Sequence, residues 1–142
     1  MKYFLNIFLL SVFTNSMANQ KIQIFDTSIR VNDNCQIEFN YNDTVQTYGF
    51  PFSKNGKCEF TTHSGTNIVH TEFINGMYIL FIENNIKTQD KCYSEYSAFG
   101  ISRQNTINVT NRIKKSGSCY QDKEIQSFKY FSKFLKPLTS IR

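Results

Sequence analysis

Residues Lys57 to Glu83 read KCEFTTHSGTNIVHTEFINGMYILFIE, and two dipeptides within that stretch divide it into three strands. Ser64-Gly65 and Asn75-Gly76 both have the composition of two-residue hairpin turns, in which Gly and Asn accept the required positive φ. Counting outward from Ser64-Gly65 pairs His63 with Thr66, Thr61 with Ile68, Glu59 with His70 and Lys57 with Glu72. Cys58, Phe60, Val69 and Phe73 then share the opposite face. Counting outward from Asn75-Gly76 sets Tyr78, Leu80 and Ile82 on that apolar face and turns Ile79 and Phe81 toward Glu72 and His70. The strand from Met77 to Ile82 is therefore apolar on both sides. It belongs in the middle of a sheet whose second face is covered by another element. A slip of one residue would send Phe60 and Phe73 into water.

The segments on either side continue the β pattern. Lys21 to Phe25 alternates, and Cys35, Ile37, Phe39 and Tyr41 fall on one side of a run whose other side carries Gln36, Glu38 and Asn40. Asn32-Asp33-Asn34 supplies turn residues between these two strands, and Asn42-Asp43 closes the second. Thr44 to Phe50 is a further strand, ending at Gly49 and Pro51. Downstream, Tyr93 to Ser102 and Thr106 to Thr110 form a hairpin across Arg103-Gln104-Asn105, and Asn111 to Gln121 reads as a basic loop.

From Lys123 the period changes. Ile125, Phe128, Phe131 and Leu135 recur at three-to-four residue spacing while Lys129, Ser132, Lys133 and Lys136 face elsewhere, which is an amphipathic helix with Asp122 as its cap and Pro137 as its stop. Its apolar stripe is the natural cover for the second face of the sheet. The expected fold is α+β: an antiparallel meander sheet of about six or seven strands against one C-terminal amphipathic helix, held by two disulfides.

Export is read from the N-terminus and the cysteines. Lys2 precedes an apolar run from Phe4 to Phe13, broken by Asn6 and Ser11, and Ser16 and Ala18 are small residues at the positions a signal peptidase needs. Such a run would span only about 15 Å as a helix, roughly half of a bilayer core. The expected division is a signal peptide over residues 1–18 and a single disulfide-stabilised domain over residues 19–142, with no transmembrane segment after cleavage. Cys35, Cys58, Cys92 and Cys119 are the four cysteines, an even number in a chain bound for an oxidising compartment, periplasmic or extracellular. Three pairings are possible. Proximity favours Cys35 with Cys58 and Cys92 with Cys119, and no two lie close enough for a zinc-ligand pair.

The formal charge of +5 is unevenly spread. Asn19 to Ser102 carries six basic residues against nine acidic ones, whereas Arg103 to Arg142 carries nine against two. A basic third of this kind fits an anionic partner. Arg112, Lys114, Lys115, Lys123, Lys129 and Lys133 near Tyr120, Tyr130 and Phe134 are also ingredients of a single-strand groove. The aromatics serve better as helix core, and no nucleic-acid partner is expected. Asn42-Asp43-Thr44 and Asn108-Val109-Thr110 match the glycosylation sequon.

Chemistry is sparse. His63 and His70 are the two histidines, and the hairpin register sets His70 beside Glu59 with Glu72 on the same side, the raw material of acid–base catalysis. Cross-strand His and Glu pairs are ordinary on sheet surfaces, and neither Ser nor Cys stands ready as a nucleophile. Phosphate-binding glycine loops, nucleophile elbows and metal-ligand motifs do not occur, so no cofactor or metal is expected. The sequence favours a binding protein over an enzyme: an inhibitor or immunity-type protein that neutralises another protein of acidic surface, through Arg103, Arg112, Lys114 and Lys115. The alternative is a small secreted hydrolase or effector using His70 with Glu59 or Glu72.

Overall fold

The computed structural model describes residues 20–53, 56–120 and 123–139. The expected leader and the expected cap Asp122 lie outside these residues. β1 (Lys21–Ile24), β2 (Thr27–Val31), β3 (Gln36–Tyr41) and β4 (Thr44–Gly49) form a four-stranded antiparallel meander. A larger antiparallel sheet contains β5 (Lys57–Phe60), β6 (Thr71–Ile74), β7 (Met77–Lys87), β8 (Cys92–Ser102), β9 (Ile107–Val109), β10 (Lys114–Ser116) and β11 (Lys136–Pro137). One helix, α1 (Ile125–Ser132), completes the described elements. The fold class read from the sequence is the one observed, with the strands divided between two sheets. The disulfides are Cys35–Cys58 and Cys92–Cys119.

Three layers result from the alternation of side chains along β7. Leu80 and Ile82 join Phe60, Phe99 and Ile101 in a core that reaches Ile29, Ile37 and Phe39 of the small sheet. Ile79 and Phe81 point the other way and pack with Tyr96, Ala98, Phe128 and Phe131. The helix thus covers the second face. At eight residues α1 is too short to persist alone, so burial of Phe128 and Phe131 holds it. Ile125 stays exposed, and Pro137 sits in an edge strand opposite Asn108, where its missing N–H is tolerated.

Two turns match their composition. Asn75 and Gly76 both have positive φ (53° and 80°), and Ile74 pairs with Met77 across them. Asn42 and Asp43 do the same between β3 and β4.

The Ser64-Gly65 register differs from expectation. Thr62 pairs with Val69, and the His63 N–H donates to the Ile68 carbonyl, so the loop is longer than two residues. β5 then leaves β6 altogether and pairs with the far half of β7, Glu59 opposite Glu83 and Lys57 opposite Asn85. The physical reason is the length of β7: its eleven residues offer β5 a free edge beyond the end of β6. The displacement preserves facing, so Cys58, Phe60 and Val69 still meet the core. Phe73 shares that face yet remains about half exposed, beyond the end of the core.

The expected basic loop is also partly regular, because β10 adds to β8 with Lys114 opposite Tyr96 and Lys115 opposite Glu95. Phe81→Ala is expected to cost about 3 to 5 kcal/mol by urea unfolding, since it empties the contact between sheet and helix. Val45→Thr, at an exposed position of β4, should change stability by less than about 0.5 kcal/mol by the same measurement.

Candidate functional site

Beyond the N-terminal end of α1, the helix-side face of the large sheet turns from apolar to polar. The alternation that buries Ile79 and Phe81 continues into Glu83 and Asn85 on β7 and meets Glu59 on β5 and Ser94 on β8. Glu83 is buried. Lys123, also buried, donates to its Oε1 at 2.6 Å, Ser94 Oγ donates to Oε1 at 3.3 Å, and Thr61 Oγ1 donates to Oε2 at 3.3 Å. The ammonium of Lys123 lies 4.5 Å from the centre of the Tyr96 ring. A desolvated ion pair needs such additional partners, because its own attraction barely offsets the loss of hydration.

Glu59 stands directly across from Glu83. The Asn85 amide donates to it at 3.2 Å, and Lys57 lies 3.7 Å away. Burial raises its carboxyl above the ordinary value of 4.5, and the neighbouring charge of Glu83 adds to the rise, while Lys57 opposes it. A cavity of about 80 Å³ opens here, lined by Glu59, Thr62, His63, Ser64, Glu83 and Tyr120. Phe60 adds an apolar wall to these polar groups, and the space is large enough for water but not for an extended substrate.

The histidines lie beside this cluster. Their rings are 4.2 Å apart, and the His70 ring also packs against Phe128 at 4.7 Å. His70 Nε2 lies 3.1 Å from Glu72 Oε1, while its buried Nδ1 has no partner among the described residues. The structure therefore joins His70 to Glu72 and sets Glu59 opposite Glu83 instead. No group of three or more metal-ligating side chains occurs among the described residues.

The basic candidates are distributed by strand alternation. Lys114 faces the helix, its Nζ 4.0 Å from the centre of the Tyr130 ring, whereas Lys115 faces the other way, 3.8 Å from Glu95. Arg112 lies over Phe134 at 4.6 Å beside a hollow of about 330 Å³ that also involves Tyr48 and Lys136. Arg103 is in the β8–β9 turn, over Phe73 at 5.8 Å. Arg112 and Lys114 thus belong together, and Arg103 belongs elsewhere. Of the two sequons, Asn42 is exposed in a turn, while Asn108 is buried with its amide on the Thr106 carbonyl.

The Glu83–Lys123 pair escaped the sequence reading, which ended β7 at Ile82. The signal was Ile86: an apolar residue after Glu83-Asn84-Asn85 extends the strand and makes those polar residues part of it. The fold and this site define a disulfide-bonded, two-sheet antiparallel β protein with one covering helix and a buried polar cluster. No family model, curated protein or solved structure matches the chain.

Lys123→Met leaves Glu83 buried without its cation and is expected to cost about 3 to 5 kcal/mol in chemical unfolding, with much of the loss recovered when Glu83→Gln is added. The raised carboxyl of Glu59 sets a pH dependence. Its proton is held more tightly in the folded chain than in the unfolded one, so its contribution is complete below about pH 4.5 and is lost as pH rises through the higher folded value. Glu59→Gln removes that loss, and its stability relative to the wild type should climb through the same window in urea titrations at a series of pH values.

Proposed function

We propose that the protein is an exported binding protein that neutralises a partner of acidic surface, and that the basic face formed by β10 and α1 makes the contact. The observation carrying this reading is the seating of Arg112 on Phe134 and Lys114 on Tyr130. A cation laid across a ring loses little side-chain freedom on docking, and Arg with aromatic residues is the composition of energetic centres in protein interfaces. Lys129 is exposed on the adjoining helix and Lys133 just past its end, and Lys136 borders the hollow beside Arg112. Two disulfides support an oxidising compartment, inside the envelope or outside the cell. Among the described residues, no helix is long and apolar enough to cross a membrane.

A small hydrolase or effector is the second reading, favoured by the contact between His70 and Glu72. His70→Ala separates the two, since it abolishes such an activity and leaves binding through the basic face intact.

Immobilised protein should retain an acidic partner from an envelope extract, with retention falling steeply as salt is added. Arg112→Glu with Lys114→Glu should abolish retention, while Lys91→Glu, an exposed change in the β7–β8 turn, should not. Equal recovery with all three proteins removes this face from consideration.

A further inference from the structure

The end of the large sheet that carries the β6–β7 and β8–β9 turns presents a surface of different chemistry. Phe73 and Tyr78 have ring centres 5.0 Å apart, and Phe25, in the β1–β2 turn, lies 5.5 Å from Tyr78. These rings are 48%, 37% and 37% exposed for Phe73, Tyr78 and Phe25, a contiguous aromatic platform on a chain that buries most of its other phenylalanines. Beside Phe73 opens a hollow of about 610 Å³, within the size range of small-molecule sites.

Three features of the lining define what would fit. Phe73 offers a flat apolar ring. Asn75 and Gln104 are exposed and offer amides that can donate and accept. Arg103 is the single charged residue of the lining, and no carboxylate accompanies it. Its guanidinium lies over one face of the Phe73 ring, 5.8 Å from the centre, so charge and ring border the same hollow and a ligand stacks on the part of the ring that Arg103 leaves open.

A pyranose has an apolar C–H face that stacks on aromatic rings and a rim of hydroxyls that amides recognise in both senses. A carboxylate on the sugar matches a guanidinium through paired hydrogen bonds. We propose that this hollow is a binding subsite for an acidic saccharide, specifically a uronic-acid-bearing oligosaccharide, with one sugar stacked on Phe73 and its carboxylate held by Arg103. The assignment is independent of the basic face, which is built on residues 112–114 and 129–136 and shares no residue with the hollow.

Titration calorimetry on the full disulfide-bonded chain tests this with trigalacturonate, maltotriose as the neutral counterpart and hexaglutamate as an acidic peptide. Trigalacturonate should bind saturably, and Arg103→Ala and Phe73→Ala should each weaken it by about tenfold or more. Maltotriose should bind at least about tenfold more weakly than trigalacturonate, because it lacks the carboxylate. Both substituted positions are exposed, and unchanged urea midpoints would show that the variants remain folded. Arg112→Glu with Lys114→Glu should leave the titration unchanged, which separates this subsite from the basic face. The proposal is overturned by absent saturation, by variants that bind as the wild type does, by equal affinity for maltotriose, or by tighter binding of hexaglutamate at the same residues.

Discussion

β7 presents Leu80 and Ile82 to one side and Ile79 and Phe81 to the other, and none of these four side chains keeps any exposed surface. Covering a strand on both faces takes two further layers, and the remainder of the chain supplies them from opposite ends. The N-terminal meander brings Ile29, Ile37 and Phe39, while the C-terminal helix brings Phe128 and Phe131. Each buried side chain of this size contributes about 1.5 to 3 kcal/mol, so the apolar requirement of one strand decides where both ends of the chain fold back.

The polar cluster is the continuation of that same strand past the point where the helix gives cover. Lys123 lies two residues before α1, and its ammonium reaches back to Glu83 with the Tyr96 ring beside it. The ion pair therefore anchors the entry of the helix to the central strand. It also fills with hydrogen-bonding groups a place that the packing of Phe81, Phe128 and Phe131 leaves open. Glu59 sits opposite with a carboxyl raised by burial, so two acidic residues share one face in different surroundings.

Local chemistry explains why some elements were legible and others were not. Asn75-Gly76 determines its own turn, and the register next to it follows directly, with Phe73 opposite Tyr78 and Glu72 opposite Ile79. The stripe of Phe128 and Phe131 announces a buried helix face wherever the helix docks. The partner of β5 depends instead on a competition between two edges, those of β6 and of β7, and the longer strand wins. Lys114 and Lys115 are adjacent in sequence yet face opposite layers, which follows only once β10 is known to pair with β8. For the same reason the basic residues could be counted in the sequence while their grouping could not. Alternation in β3 shows that one face is buried, whereas β2 (Thr27–Val31) goes unread: the sequence reading passes straight from Lys21–Phe25 to the turn at Asn32-Asp33-Asn34, and that turn in fact joins β2 to β3.

The covalent cross-links are placed unevenly. Cys92 opens β8 opposite Lys87 and is bonded to Cys119, while Cys58, bonded to Cys35, lies on the neighbouring β5 opposite Asn84, so both bridges lie at the half of the long β7–β8 ribbon that ends at residues 87–92. The other end, where Met77 lies opposite Ser102, has no such clamp and is closed only by its turns. The ribbon behaves as a bar fixed in a vice at one end. Local opening at the tip that bears Phe73, Tyr78 and Arg103 would have no covalent tie to work against, unlike opening at the sulfur-bound end.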